Sequence, residues 1–310
     1  MKKYLLDDYF KFWIETYKKP AVAPVTYMKY LNTHGHIRKY FGKVSLSQIT
    51  ATSYQLALNN YSKTRAKRTV ACFHKQIHAC LLDAHDEQLI PIVPSRKAIV
   101  TGRPLIKHTS KCLNYDEWQC LVKATYNTDN IKEQVVYLSA VTGMRYSEVL
   151  GLTWNNIDFK MNRLEVEKTW DYKYHQGFKK TKNDSSKRFI DLDKNTMAML
   201  KRLSLKKEEA DENEYDLIFN YTEGKQLYNS NINRFLLKLC GELKIHNISF
   251  HSLRHTHASI LLYQDVSLMT VSRRLGHSNT STTQSIYLHI IREMENKEKE
   301  LIESIMDKVF

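Results

Sequence analysis

The sequence predicts a mainly helical α+β chain, a helical N-terminal domain followed by a larger domain of helices and a small antiparallel β-sheet. Three observations predict it. Apolar residues recur at intervals of three and four from Leu5 to about residue 90. The period shortens between Ile157 and Leu192, where β-branched and aromatic residues flank polar turns. Between these regions runs P-I-V-P-S-R-K-A-I-V-T-G-R-P, punctuated by proline and basic residues, which reads as an interdomain linker. The expected domains are therefore 1–92, a linker over 93–110, a second domain over 111–291 and a terminal helix over 292–310.

The elements follow in order. Leu5, Tyr9, Phe10, Trp13, Ile14 and Tyr17 make one helical stripe, ended by Pro20 and Pro24. A second helix is expected from Val25 to Tyr40, with Gly42 behind it, a third from Ser47 to Asn60, and a fourth from Ser62 to His85. The run Val135 to Val141 is apolar and ends in a break at Gly143, after which Arg145 opens a short helical pattern. Ile157 to Thr169 reads as a β-hairpin turning near Lys160-Met161-Asn162, and Phe178 to Leu192 as a further strand and turn. After Asp193 helices return, including Asn229 to Leu243. Ser249 is placed to cap a helix carrying His251 and Arg254, and Gly276 to stop the next one in the left-handed conformation. Ile302, Ile305, Met306 and Val309 form an apolar stripe at the end of the chain.

The net charge is +14, and it is uneven. Residues 1–100 carry 16 Lys and Arg against 6 Asp and Glu, so +10 of the surplus lies there. A basic excess confined to one domain favours a nucleic-acid face. Lys63, Arg65, Lys67 and Arg68, crowded at the expected start of the fourth helix, are the candidate phosphate contacts; a solvated helix face is the alternative. The N-terminus has acidic residues too early for a signal peptide, and no apolar run is long enough to span a membrane. Five cysteines without C-x-x-C pairs fit a reducing cytoplasm. Cys72, His74, His78 and Cys80 lack zinc-finger spacing, so no metal site is expected.

The chemistry concentrates between Ser249 and Tyr287, in S-F-H-S-L-R-H-T-H-A-S and L-G-H-S-N-T-S-T-T-Q-S-I-Y. His251 and Arg254 are three apart and share a helix face. His277 follows Gly276 on a sharp corner, and Tyr287 lies ten residues further on. Arginine matches two phosphate oxygens, histidine moves a proton near neutral pH, and tyrosine, with an ordinary pKa of about 10, needs help to become a nucleophile. Together they suggest attack of a phenolate on a phosphodiester. The alternative is an amphipathic helix with a polar face.

T-G-M-R-Y-S-E at 142–148, H-S-L-R-H, L-G-H and the tyrosine that follows resemble, in order and separation, the tyrosine recombinases, also called phage integrases. The resemblance implies a helical core-binding domain in the first third of the chain and a catalytic domain after it; the extra arm-binding domain of the family's larger phage members is not expected, because the core-binding helices start so near the first residue. It implies Tyr287 as nucleophile forming a 3′-phosphotyrosyl bond, Arg145 and Arg254 on the phosphate, and His251 and His277 as proton handlers. It also implies a β-hairpin lysine as general acid, best matched by Lys182 with Lys180 as the other register; Lys180 otherwise serves as a DNA contact. Glu148 is expected to support the arginines. The expected partners are double-stranded DNA, a homo-tetramer on DNA, and accessory directionality or DNA-bending proteins. No membrane partner is implied. No cofactor is implied either: there is no P-loop and no carboxylate pair suited to Mg²⁺. A catalytically lost DNA-binding regulator and a type IB topoisomerase-like enzyme are the competing readings.

Overall fold

The computed structural model describes residues 4–104, 112–173, 177–181, 184–207, 215–219 and 227–277. The chain divides into two compact units, Met1–Lys107 and His108–Phe310. Among the described residues, no helix is long and apolar enough to cross a membrane.

The first unit is built from α1 (Leu6–Trp13), α2 (Pro24–Phe41), α3 (Ala51–Ser62) and α4 (Lys67–Asp86). The aromatic stripe becomes its core: Leu6, Phe10, Trp13 and Ile14 are fully buried against Ile37, Tyr54, Ile77 and Leu81. Polar tips on that stripe still find partners. Trp13 Nε1 donates to Asp83 at 2.6 Å and the Tyr9 hydroxyl to Glu87 at 3.0 Å, tying α1 to the end of α4. The stripe does not run on as one α-helix. A π turn occupies Ile14–Lys18, which leaves Tyr17 exposed while its hydroxyl reaches Glu87 at 3.1 Å.

The fourth helix starts five residues later than expected. Ala66, at the N-cap, is extended and bridges to Arg103, so the basic run straddles a turn and the first turn of α4. Arg103 holds that turn: its backbone N–H donates to Arg65 O and its Nε to Lys63 O, both at 2.8 Å. The stretch read as a linker is thus packed, in its first part, on the helical unit. Val93 and Ser95 are buried, Ser95 Oγ pairs with His78 at 2.7 Å, and Gln55 clamps both backbone groups of Ile99. Its apolar residues Val93, Ala98 and Val100 close the edge of the core, which proline content alone does not reveal. The Cys72–Cys80 set is dispersed among other partners too, since His74 pairs with Tyr54 at 2.9 Å.

The second unit contains α5 (Tyr115–Thr125), α6 (Ile131–Thr142), α7 (Tyr146–Leu150), α8 (Lys194–Lys207), α9 (Asn229–Glu242), α10 (Phe250–Tyr263) and α11 (Leu268–Leu275). The apolar run at 135–141 lies on α6, which is buried from Gln134 to Ala140 and packs against α5, α7, α9 and α10. Caps are local and in place: Asn114 and Glu117 exchange bonds at the start of α5, and Ser249 accepts from Ser252 N at 3.3 Å at the start of α10.

Among the described residues, five short strands follow α7: β1 (Ile157–Asp158), β2 (Arg163–Val166), β3 (Lys168–Trp170), β4 (Phe178–Lys180) and β5 (Arg188–Asp191). The turn at Lys160–Asn162 is present, with Asn162 at positive φ. The pairing differs from two successive hairpins. β1, β2 and β5 form one antiparallel sheet with Leu164 opposite Ile190, whereas β3 pairs with β4, Trp170 opposite Phe178. Leu164, Val166 and Ile190 point into the core, so burial of alternate residues fixes this register.

Gly143 ends α6 at φ +69, and a Cβ there would come 2.6 Å from Leu275 Cδ2 and 2.8 Å from His257 Cδ2. Gly143→Ala is predicted to destabilise the second unit by at least about 1–2 kcal/mol, the cost of the left-handed conformation alone. A denaturant midpoint equal to that of the unaltered protein would show that the turn relaxes without cost.

Candidate active site

The segment Thr142–Glu148, the start of α10 and the corner after α11 converge through hydrogen bonds. Arg145 is the N-cap of α7, and its backbone N–H donates to Glu148 Oε2 at 2.9 Å. Its guanidinium donates to Glu148 Oε1 at 2.6 Å and to Gly276 O at 3.4 Å. Arg254, buried on α10, donates through Nη1 to Gly143 O at 2.8 Å and through Nη2 to Leu275 O. The two arginines are therefore held by carbonyls that flank two left-handed glycines, Gly143 and Gly276.

Sequence reasoning missed three residues of this network. Arg188, on β5, pairs with Glu148 Oε2 at 2.9 Å. His257, one turn beyond Arg254, is buried, with Nδ1 at 3.2 Å from Ala140 O and Nε2 at 3.2 Å from Arg274 Nε. The second contact assigns the tautomer: Arg274 donates to Nε2, so Nδ1 carries the proton toward Ala140 O. Arg274 also donates to Asp191 O at 3.1 Å, joining α11 to β5. A cleft of about 570 Å³ opens beside the corner, lined by Lys187, Arg188, Phe189, Arg273 and His277 among others. The signals were faint: Arg188 sits in an ordinary basic turn sequence, while the i+3 spacing of His257 from Arg254 marks only a shared helix face.

Charge dominates the site. Three guanidiniums, Arg145, Arg188 and Arg254, surround one carboxylate. Burial by itself would raise the Glu148 pKa, but Arg188 and then Arg145 outweigh it and hold the carboxyl below its ordinary value. Burial, then Arg145, pushes Arg254 down to about 9, so it stays charged at neutral pH. His277 is pushed down to about 4 by burial, then Arg254 and Arg145. His251 stands open to solvent at the start of α10, yet the packing around its ring, then Arg254 and Arg145, holds it below its ordinary value. Arg254 and Arg145 thus act on both histidines.

Of the other expected residues, Lys180 is exposed at the end of β4, opposite Lys168. Its neighbour Lys179 is engaged with Asp171 at 2.6 Å. Lys63, Lys67 and Arg68 are exposed, and Arg65 lies over the Tyr61 ring at 4.7 Å. Lys182, Tyr287 and the stripe at 302–309 lie outside the described residues. Among the described residues, no three His, Cys, Asp or Glu side chains form a group that could hold a metal ion.

A network that joins Arg145, Arg254 and Arg188 around one buried carboxylate, with His277 at its corner, suits phosphodiester chemistry, and comparison with known proteins agrees. The model of the phage integrase family matches residues 111–294, and that of the phage integrase N-terminal SAM-like domain matches residues 5–62. The chain belongs to the phage integrase family, the tyrosine recombinases. It is a site-specific DNA recombinase of mobile-element type.

A XerC-like tyrosine recombinase of Caldanaerobacter subterraneus is 26% identical over 97% of this chain and 83% of its own length. An integrase of a Staphylococcus phage is 27% identical over 97% and 92%. The Tn1549 transposon integrase in complex with a circular intermediate DNA shares the fold with a TM-score of 0.77 at 14% identity, covering 94% of this chain and 99% of that one. A lambda integrase tetramer bound to a Holliday junction aligns with a TM-score of 0.67 at 17% identity, covering 89% and 78%.

The buried histidines give a pH prediction. Unfolded, they protonate near 6.5; folded, His257 does so only near 3 and His277 near 4. The unfolded chain therefore binds more protons below pH 6.5, and stability is full above that value and falls as pH drops toward the folded values. Each excluded proton contributes a slope approaching about 1.4 kcal/mol per pH unit. Unfolding free energies measured between pH 6.5 and 5, above most carboxylate titration, should fall, and His257→Gln should make that fall shallower. An equal slope in the variant would show that His257 protonates freely in the folded state.

Proposed function

We propose that this recombinase cleaves double-stranded DNA by attack of the Tyr287 phenol oxygen on the scissile phosphorus. The P–O5′ bond breaks, a 3′-phosphotyrosyl bond forms, and the departing 5′ oxygen takes a proton from Lys182. Attack by an incoming 5′-hydroxyl reverses these steps on a new partner strand, and phosphodiester energy is conserved throughout. The observation that carries this reading is the charge count at Glu148: three guanidiniums against one carboxylate leave a partly buried excess of two positive charges. Such an excess is costly unless an anion completes it. A phosphodiester brings one negative charge and develops a second as the nucleophile adds, so the pocket suits the transition state better than the ground state.

Within that reading Arg145 and Arg254 bind the non-bridging oxygens. His251, held below its ordinary value by the packing around its ring and by both arginines, is able to accept the tyrosine proton. His277 donates a hydrogen bond to the phosphate, and Glu148 keeps Arg145 in place. Lys63, Arg65, Lys67 and Arg68 would contact DNA phosphates from the helical unit. The DNA complexes among the structural neighbours, one of them a tetramer on a Holliday junction, support DNA as substrate and a tetramer as the acting form. Directionality or DNA-bending proteins complete the assembly in this reading.

The test is to map covalent attachment on element-end DNA. Tyr287→Phe should bind that DNA and form no denaturant-stable adduct. Arg254→Ala should lose cleavage by about 3 kcal/mol of transition-state stabilisation, on the scale of one lost oxyanion donor. An adduct formed by Tyr287→Phe, or near-normal cleavage by Arg254→Ala, would sink the assignment.

Lys182 is tested separately. An ammonium acts as a general acid when a positive, partly desolvated site lowers its pKa. On DNA whose bridging 5′ oxygen is replaced by sulfur, the leaving group needs no proton. Lys182→Ala should be slow on ordinary DNA and largely rescued on the sulfur substrate, with Lys180→Ala near normal on both. Rescue appearing in Lys180→Ala instead would move the role by two residues.

A further inference from the structure

Arg188 lies outside the residues assigned to the reaction, yet three parts of the site meet on it. Its side chain is only 5% exposed. Nη2 donates to Glu148 Oε2 at 2.9 Å, Nε to Arg274 O at 2.6 Å and Nη1 to Ser186 O at 3.0 Å. It also packs against the glycine corner: a Cβ on Gly276 would come within 3.1 Å of Arg188 Cδ and Nη1.

We propose that Arg188 is a positioning residue for strand cleavage, fixing Arg145 through Glu148 and fixing the Leu275–His277 corner through the end of α11. The inference rests on the reading of Arg145 and Arg254 as the phosphate-binding arginines.

The geometry carries it in two steps. Glu148 Oε2 accepts only from the Arg145 backbone N–H and from Arg188 among the hydrogen bonds described. Removing Arg188 leaves that oxygen with one neutral donor, so the carboxylate can turn and carry the Arg145 guanidinium bonded to Oε1 with it. At its other end, Arg188 grips the Arg274 carbonyl, one residue before the Leu275 carbonyl that accepts from Arg254 and two before the Gly276 carbonyl that accepts from Arg145. A shift of this corner therefore moves an acceptor of each phosphate-binding arginine, and His277 with them. A planar fork can serve three acceptors in fixed directions; a lysine ammonium at the same place cannot span them.

Arg188→Lys is the informative variant because it keeps a positive charge opposite buried Glu148. The DNA is a nicked suicide duplex built on the sequence at which the unaltered protein is mapped to attach covalently. Cleavage is measured in single turnover at saturating protein, with affinity for the same duplex and thermal midpoint measured alongside. Cleavage should slow about 10- to 100-fold, the scale of a small misplacement of catalytic groups, with affinity and midpoint little changed. In an Arg145→Lys background the same substitution should add less than about 3-fold, because both changes act on one coupled unit.

A full additional loss in that background would overturn the coupling, as would cleavage by Arg188→Lys within a few-fold of normal. A loss of affinity with the saturated rate intact would make Arg188 a DNA contact and likewise overturn it. Near-normal cleavage by Arg145→Lys and Arg145→Ala would instead remove the underlying reading of the site. If Arg188→Lys lowers the thermal midpoint, cleavage and affinity are measured at a temperature well below both midpoints; a rate still about 10-fold or more down with affinity intact supports the positioning role, and a rate within a few-fold of normal overturns it.

Discussion

One buried carboxylate sets the geometry of the catalytic unit. Glu148 is 2% exposed, and a lone carboxylate in that position would be expensive. It is kept ionised by two guanidiniums approaching from different elements, Arg145 at the start of α7 and Arg188 on β5. Breaking such a pair by removing one partner typically costs about 3–5 kcal/mol, so the three side chains stand or fall together. The constraint then spreads outward. Arg188 reaches α11 through the Arg274 carbonyl, and Arg274 reaches back to His257 on α10 and Asp191 on β5. A sheet edge and three helices are joined by polar contacts around a single negative charge.

The arginines also need acceptors that do not cancel their charge, and backbone carbonyls supply them. Gly143 and Gly276 both take the left-handed conformation, and the Gly143, Leu275 and Gly276 carbonyls accept from Arg254 and Arg145. A carbonyl satisfies a guanidinium hydrogen without neutralising it. The two helix-ending glycines thus set helix length and also turn main-chain oxygens toward the arginines. The close approach of Leu275 and His257 to Gly143 leaves no room for a side chain there. The corner is a packing constraint as much as a turn.

What could be read in the sequence was what depends on near neighbours along the chain. The Ser249 cap, the shared face of His251 and Arg254 and the left-handed stop at Gly276 each follow from residues within a turn or two. The stripe was equally legible at Tyr9, Phe10, Trp13 and Ile14, but the expected start at Leu5 is the N-cap and Leu6 is the residue buried, and the π turn after Trp13 was not legible, since α and π turns look alike over five residues. Strand pairing was hidden for a different reason. β5 belongs beside β2 because Ile190 and Leu164 fill one core, and no spacing between Phe178 and Leu192 states that preference. Arg188, His257 and Arg274 were hidden in the same way. Their partners lie 40, 117 and 83 residues away, at Glu148, Ala140 and Asp191. Nothing near Arg188 in the sequence marks the buried carboxylate it pairs with.

If the proposed reaction holds, the charge excess at Glu148 also links proton affinity to the substrate. After burial, the forces that hold His277 near pKa 4 are Arg254 and Arg145, and these two also act on His251. Both imidazoles are held below their ordinary value, which in the proposed mechanism suits His251 to accept a proton. A phosphodiester seated between the arginines opposes their field with one negative charge, and the transition state opposes it with nearly two. Under the proposed mechanism the proton affinity of both imidazoles would therefore rise as the tyrosine proton departs and charge builds on the phosphate. In the proposed reaction the arginines would act first as the binding site for the anion and then, once their field is offset by its charge, as groups that let the histidines hold a proton. Glu148 sets the size of that field, because the pocket's excess charge is the three guanidiniums less this one carboxylate.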